Sequence, residues 1–244
     1  QATGPHPAIV LLHGSGPLTR HSFGPYPRFF ERLGFAVLRF DKRGTGRSTG
    51  VLPHLLGELP NGPPTRVYPE DLIADARAAL RFLLDRDDID KGRIGLWGSS
   101  EGGMLTTQVA ARRPGVAFAI NSSGFMSSVE DLIIYQAKRW AQSQGAPADK
   151  VAAVAAVTQS MFDVAKTGAG FTDFLRLRQP FIDAGEEKLL WYSWFTLSIK
   201  SVEQLQWGWT QVLSFNPIAE LEKVRCPVLG VFGEDDPLTD APRA

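Results

Sequence analysis

The sequence predicts an α/β fold: a doubly wound, mostly parallel sheet with an inserted helical cap. Three observations carry that reading. Short apolar runs alternate with helical patterns from Ala8 to Ile120. The alternation then breaks, and residues 125–215 pattern as helix without a convincing strand. A last apolar run, Pro227–Phe232, restores a strand. The expected organisation is a core over residues 1–124, a helical cap over 125–215 and a continuation of the core over 216–244.

Each element has its own signal. Ala8–Leu12 (AIVLL) is a continuous apolar run, as a strand buried on both faces requires, and it ends in the loop His13-Gly14-Ser15-Gly16-Pro17. Tyr26–Leu33 reads as a short helix closed by Gly34. Ala36–Phe40 is the next strand, followed by the loop DKRGTGRSTG and a Pro/Gly-rich stretch to about Tyr68. Pro69 opens a helix whose Leu72, Ala76, Ala79, Leu80 and Leu83 recur at helical spacing. Arg93–Trp97 is a strand, Glu101–Arg113 a helix stopped by Pro114-Gly115, and Val116–Ile120 a strand.

Composition narrows the function classes. With 244 residues, 43% of them hydrophobic, the chain can bury a core without disulfides. Lys+Arg and Asp+Glu are both 26, and no basic stripe marks a nucleic-acid footprint. The one cysteine, Cys226, can form no internal disulfide, which suits the cytoplasm but equally a secreted protein. No apolar run approaches the roughly 18 residues of a membrane span. The chain starts at Gln1 without a signal-like segment, so its true N-terminus is expected to be missing and its compartment is unreadable. No phosphate-loop pattern occurs, GTGRST opens no helix, and no two histidines share a metal-ligand spacing, so no cofactor or metal is expected.

Two stretches fit G-x-S-x-G: Gly98-Ser99-Ser100-Glu101-Gly102 and Gly46-Arg47-Ser48-Thr49-Gly50. A bare match is weak, and context decides between them. A nucleophile elbow needs a buried strand running in and a helix running out, which puts the serine on a tight turn at the strand's carboxyl end. Ser100 has that context. Ser48 leads onward into loop and reads as a turn residue bonding its own segment. The bland alternative for the first stretch is a glycine-rich turn with Ser99 as a helix cap.

A serine hydroxyl needs partners. Two backbone N–H groups fit an oxyanion hole: that of Glu101 at a helix start, and that of Ser15 in the HGSG loop, with Gly16 as alternative. His13 reads as a structural residue pinning that loop. The orienting acid fits Asp236, after the last strand, with Asp235 and Glu234 on the same loop as alternatives. Glu130 and Asp131 fit the start of the first inserted helix better than an acid role. The four histidines, His6, His13, His21 and His54, all precede Ser100, and only eight residues follow Asp236.

Together, HGSG, DKRGTGRS, GLWGSSEGG and FGEDDP resemble the α/β-hydrolase superfamily, and more closely its serine esterases of the dienelactone-hydrolase and acyl-peptidase-like branch. The resemblance implies Ser100 as nucleophile, Asp236 as triad acid, the N–H groups of Ser15 and Glu101 as oxyanion donors, and Asp41 and Arg43 as structural residues of their turn. The superfamily's first two strands, last strand and catalytic histidine have no counterpart, so the chain is expected to be part of a longer hydrolase with its base beyond Ala244. The expected function is hydrolysis of a small-molecule carboxylic ester, with a peptidase or a non-catalytic binding protein on the same fold as alternatives. Trp140, Trp191, Trp194, Trp207, Trp209, Phe162, Phe171, Phe174, Phe195 and Tyr135 crowd the expected cap. They form either its own core or, in part, the wall of an apolar acyl site.

Overall fold

The computed structural model describes residues 4–52, 69–190, 193–213 and 216–240. His54, most of the Pro/Gly-rich stretch before Tyr68, Trp191 and the side chains of Trp194, Phe195 and Trp207 lie outside that description.

Strand β1 (His6–Leu12) is buried on both faces because its residues alternate between two cores. Ala8, Val10 and Leu12 join the larger cluster, with Leu96, Met104 and Val109. Ile9 and Leu11 join Phe23, Phe30 and Trp97 on the opposite face. The strands are β1, β2 (Ala36–Leu38), β3 (Ile89–Ser99), β4 (Phe118–Ser122) and β5 (Val228–Val231). They lie in the order β2-β1-β3-β4-β5, and every pair is parallel. The carboxyl ends of β1, β3, β4 and β5 therefore open on one rim, where parallel sheets of this kind place their sites.

Three boundaries differ from the sequence expectation. β3 is longer than Arg93–Trp97: Ile89 pairs with His6, and Gly98 and Ser99 pair with Leu12, Asn121 and Ser122. Ladder bonds are made by backbone, so polar and glycine residues extend a strand that an apolar run does not reveal. β4 is shifted two residues onward, to Phe118–Ser122. β2 stops at Leu38 rather than Phe40, whose carbonyl accepts instead from the His13 side chain, 2.6 Å away.

Helix α1 (Tyr26–Arg32) covers the Trp97 face, and Gly34 beyond it adopts φ +88°. Helix α2 (Glu70–Leu84) buries Leu72, Ile73, Ala76, Leu80 and Leu83, with Pro69 as its cap residue rather than its first turn. Helix α3 (Glu101–Arg112) is buried along most of its length. Between β4 and β5 come α4 (Val129–Ser143), α5 (Ala148–Thr167), α6 (Phe171–Asp183), a 3-10 turn (Glu187–Leu189), α7 (Ser193–Ser198) and α8 (Val202–Leu213). No strand interrupts them among the described residues. Ser128 caps α4, accepting from the Asp131 N–H at 3.0 Å and donating to the Asp131 carboxylate at 2.6 Å, and Glu130 pairs with Lys166, so both acids are engaged at the start of the inserted helices. Phe162, Phe174 and Trp209 are buried in the helices' own core, with Trp209 edge-on to Phe162. Helix α9 (Pro217–Leu221) returns to the sheet layer, where Glu220 pairs with Arg112 of α3. No helix of the described residues is long and apolar enough to cross a membrane.

Candidate active site

Ser100 stands between β3 and α3 with φ 55° and ψ −123°. Apart from Ser123, it is the one non-glycine residue among those described that carries a positive φ. Such a conformation costs of order 1–3 kcal/mol and persists only where its surroundings impose it. The surroundings here are glycine. A Cβ on Gly98 would sit 2.1 Å from the Gly102 carbonyl oxygen, and one on Gly102 would sit 2.2 Å from that of Leu12. Each flanking glycine thus lets backbone pass where a side chain cannot. The Ser100 N–H donates to the Ser122 carbonyl (2.9 Å), tying the turn to the end of β4.

The HGSG loop lies against this turn. A Cβ on Gly14 would be 3.6 Å from the Ser100 Cβ. Ser15 is exposed, one residue farther along the loop. Glu101 is the first residue of α3, so its N–H has no acceptor within the helix. The expected oxyanion donors therefore flank the Ser100 turn on two separate segments. The Glu101 side chain is a different matter: it is 2% exposed and ion-paired with Lys42, itself 3% exposed.

His13 does pin the loop. Its ring stacks on Phe23 at 4.1 Å between centroids, and its Nε2–H donates to the Phe40 carbonyl. Burial holds the imidazole below its ordinary pKa, and Nδ1 is buried without a partner among the described residues. The second G-x-S-x-G stretch supports the same loop from outside. Asp41 accepts from the Arg20 N–H (2.8 Å), from the Arg20 guanidinium (2.7 and 3.0 Å) and from the Arg47 N–H (2.9 Å). The Arg20 guanidinium, with those amides, holds the Asp41 carboxyl far below the usual carboxylate range. Arg43 grips Asp75 of α2 through two bonds of 2.6 Å. Ser48 Oγ donates to the Asp41 carbonyl (2.8 Å), so its hydroxyl is used inside the turn.

Asp236 follows β5, on the same rim as Ser100 and one strand beyond β4. Its Oδ1 accepts from the N–H groups of Leu238 (2.8 Å) and Thr239 (3.2 Å), and its own carbonyl accepts from the Tyr135 hydroxyl of α4 (2.6 Å). Glu234 and Asp235 are exposed, whereas Asp236 is half-buried. Thr239 Oγ1 donates to the Ser123 carbonyl (2.9 Å), so residues 122 and 123 bond both the Ser100 turn and the Asp236 loop. Sequence reasoning missed Lys42 and Ser123, and it placed Tyr135 only among the aromatic residues of the cap. Of the two missed, Lys42 alone left a trace, as the charge inside DKRGTGRS. A cleft of about 290 Å³ opens beside the HGSG loop and the end of β3, lined by Gly14, Leu18, Phe23, Tyr26, Trp97 and Ser99 among others. Among the described residues no cluster of three or more His, Cys, Asp or Glu could hold a metal.

Comparison with known proteins fits this architecture. The family described as X-Pro dipeptidyl-peptidase (S15 family) matches residues 6–241, and the chain belongs to that family. An uncharacterised Escherichia coli protein is 30% identical over 120 residues, 49% of this chain and 38% of its own length. Esterase EstD of Thermotoga maritima is 32% identical over 119 residues, 46% of this chain and 26% of its own. The matched stretch thus spans well under half of these relatives. Among solved structures, a Pyrococcus furiosus esterase superimposes with a TM-score of 0.54 at 16% identity, over 98% of this chain and 65% of its own. Strand order, parallel pairing and this likeness give the chain the α/β-hydrolase fold.

Proposed function

We propose that this member of the S15 family carries the nucleophile, oxyanion donors and triad acid of a serine carboxylic-ester hydrolase. The observation that carries the reading is the strained backbone of Ser100 between β3 and α3, packed against Gly14. Ser100 Oγ attacks the ester carbonyl and gives its proton to a base. The negative oxygen of the tetrahedral intermediate is held by the Ser15 and Glu101 N–H groups. Collapse expels the alkoxide, which takes the proton from the base, and leaves an acyl-enzyme. Water, deprotonated by the same base, then releases the carboxylic acid and regenerates Ser100. Asp236 orients the base. That base is a histidine other than His13, which is held by Phe40 and Phe23, and His6, which lies at the opposite end of β1.

Helices α4–α8 serve as the cap, joined to the acid loop by Tyr135 and by Gln136, whose Nε2 donates to the Leu238 carbonyl at 2.7 Å. The favoured substrate is a small, hydrophobic ester, since Leu18, Phe23, Tyr26 and Trp97 make the neighbouring cleft apolar. Because Trp209, Phe162 and Phe174 sit in the helical core, the apolar wall is drawn from the β1–α1 segment and Trp97 of β3 rather than from those three.

Family membership favours a second reading, cleavage of X-Pro peptides. Parallel assays of the whole protein on p-nitrophenyl esters of increasing acyl length and on X-Pro p-nitroanilides separate the two. Turnover of the esters, lost in Ser100→Ala, is the expected result. Anilide cleavage with inert esters selects the peptidase.

A further inference from the structure

We propose that Lys42 is a positioning residue that sets the geometry of the oxyanion hole from beneath. The inference rests on the assignment of the hole to the Ser15 and Glu101 N–H groups. Those donors lie 86 positions apart in the sequence, and a hole works only when both point at one spot to within a few tenths of an ångström. Lys42 bonds both segments. Its Nζ donates to the Gly14 carbonyl (2.9 Å) and is ion-paired with the Glu101 carboxylate.

The Gly14 contact has a geometric consequence. The Gly14 carbonyl and the Ser15 N–H belong to one planar trans peptide and point in opposite directions. Fixing the carbonyl on Lys42 therefore fixes the direction of the Ser15 N–H. Gly14 itself offers little resistance to a flip, having no Cβ. On the other side, the ion pair anchors the first residue of α3, whose N–H is the second donor.

Stability alone does not account for the pair. Both side chains are almost wholly buried, and apolar residues of similar size commonly replace such pairs without loss of stability. Lys42 is also held from its own side. Its N–H donates to the Leu18 carbonyl (3.1 Å), so the turn and the HGSG loop are bonded at two levels.

The test uses the whole protein. Lys42→Met combined with Glu101→Met removes both charges and strands neither, so the fold is expected to survive. It retains both N–H donors and frees the Gly14–Ser15 peptide. Ester kcat is expected to fall about 10²–10³-fold, the effect of losing one oxyanion donor, with KM changed by no more than about threefold. A folded double variant with wild-type kcat overturns the role of Lys42. A rise in KM alone also overturns it. Ser100→Ala is the control for the site itself: if it retains turnover, the assignment of the hole fails before Lys42 is at issue. A second measurement needs no variant. In the fluorophosphonate adduct of the unmutated protein, the phosphonyl oxygen is expected about 3 Å from the Ser15 and Glu101 nitrogens, with Lys42 still on the Gly14 carbonyl. An adduct oxygen bound elsewhere, or a Gly14 carbonyl turned away from Lys42, overturns the proposal.

Discussion

Two pentapeptides of this chain share the pattern G-x-S-x-G and have opposite structures. In Gly98–Gly102 the glycines are places of close backbone approach, and the serine between them is forced to φ 55°. In Gly46–Gly50 the glycines themselves take the positive φ values, +53° and +100°, and the serine relaxes into a bond with the Asp41 carbonyl. The first turn strains its serine, whereas the second consumes its serine's hydroxyl in a bond. The difference lies in what surrounds the pentapeptide. A strand paired on both sides and a buried helix pin the first from both ends, while the second wraps an aspartate. The second turn nonetheless serves the first, because Asp41 and Lys42 hold the loop that carries Ser15.

The largest expected effect in this comparison is at Ser100. Ser100→Ala should lower kcat by about 10⁶, leaving only the catalysis that binding and the oxyanion hole supply. A steady-state ester assay of the whole protein measures it, and a loss under tenfold would mean that the elbow is only a turn. Next comes Asp236, the proposed triad acid. Asp236→Asn keeps the shape of the loop and should cost about 10⁴ in kcat, whereas Asp235→Asn, at an exposed position, should cost less than about threefold. Equal losses at both positions would break the choice between them.

The second turn should respond through stability and pH. The folded Asp41 carboxyl titrates far lower than an unfolded one, so its contribution is fully present above the unfolded value, about 3.9. That contribution fades as pH falls toward the folded value. Melting curves of Asp41→Asn and the unmutated protein should therefore differ most near pH 7 and converge steadily below about pH 4. A gap independent of pH would show that the carboxylate is not what holds the turn. The smallest effect belongs to Ser48. Ser48→Ala removes one hydrogen bond, worth about 1 kcal/mol, and should leave kcat and KM unchanged. A large loss of turnover there would reverse the roles of the two serines.

How far the sequence reveals these roles follows from the range of the forces involved. The strands are legible because burial on both faces demands unbroken apolar runs, as in Ala8–Leu12. The elbow is legible because crowding demands glycine at Gly98 and Gly102. The extension of β3 through Gly98 and Ser99 is not, because ladder bonds leave no mark in side-chain polarity. The bonds from the Leu238 and Thr239 amides to the Asp236 carboxylate are not legible either, because only the folded loop brings those groups together. The contacts of Lys42 and Tyr135 are the least legible of all. Their partners lie 59 and 101 residues away, and no local pattern distinguishes a lysine in a turn from one beneath a site.

One measurement tests the contrast between the two turns most directly. The whole protein is treated with a fluorophosphonate, digested, and the adduct located by mass spectrometry. Modification of Ser100 with Ser48 untouched is the expected result. An adduct on Ser48, or an unmodified Ser100 in protein that still turns over ester, would contradict the account.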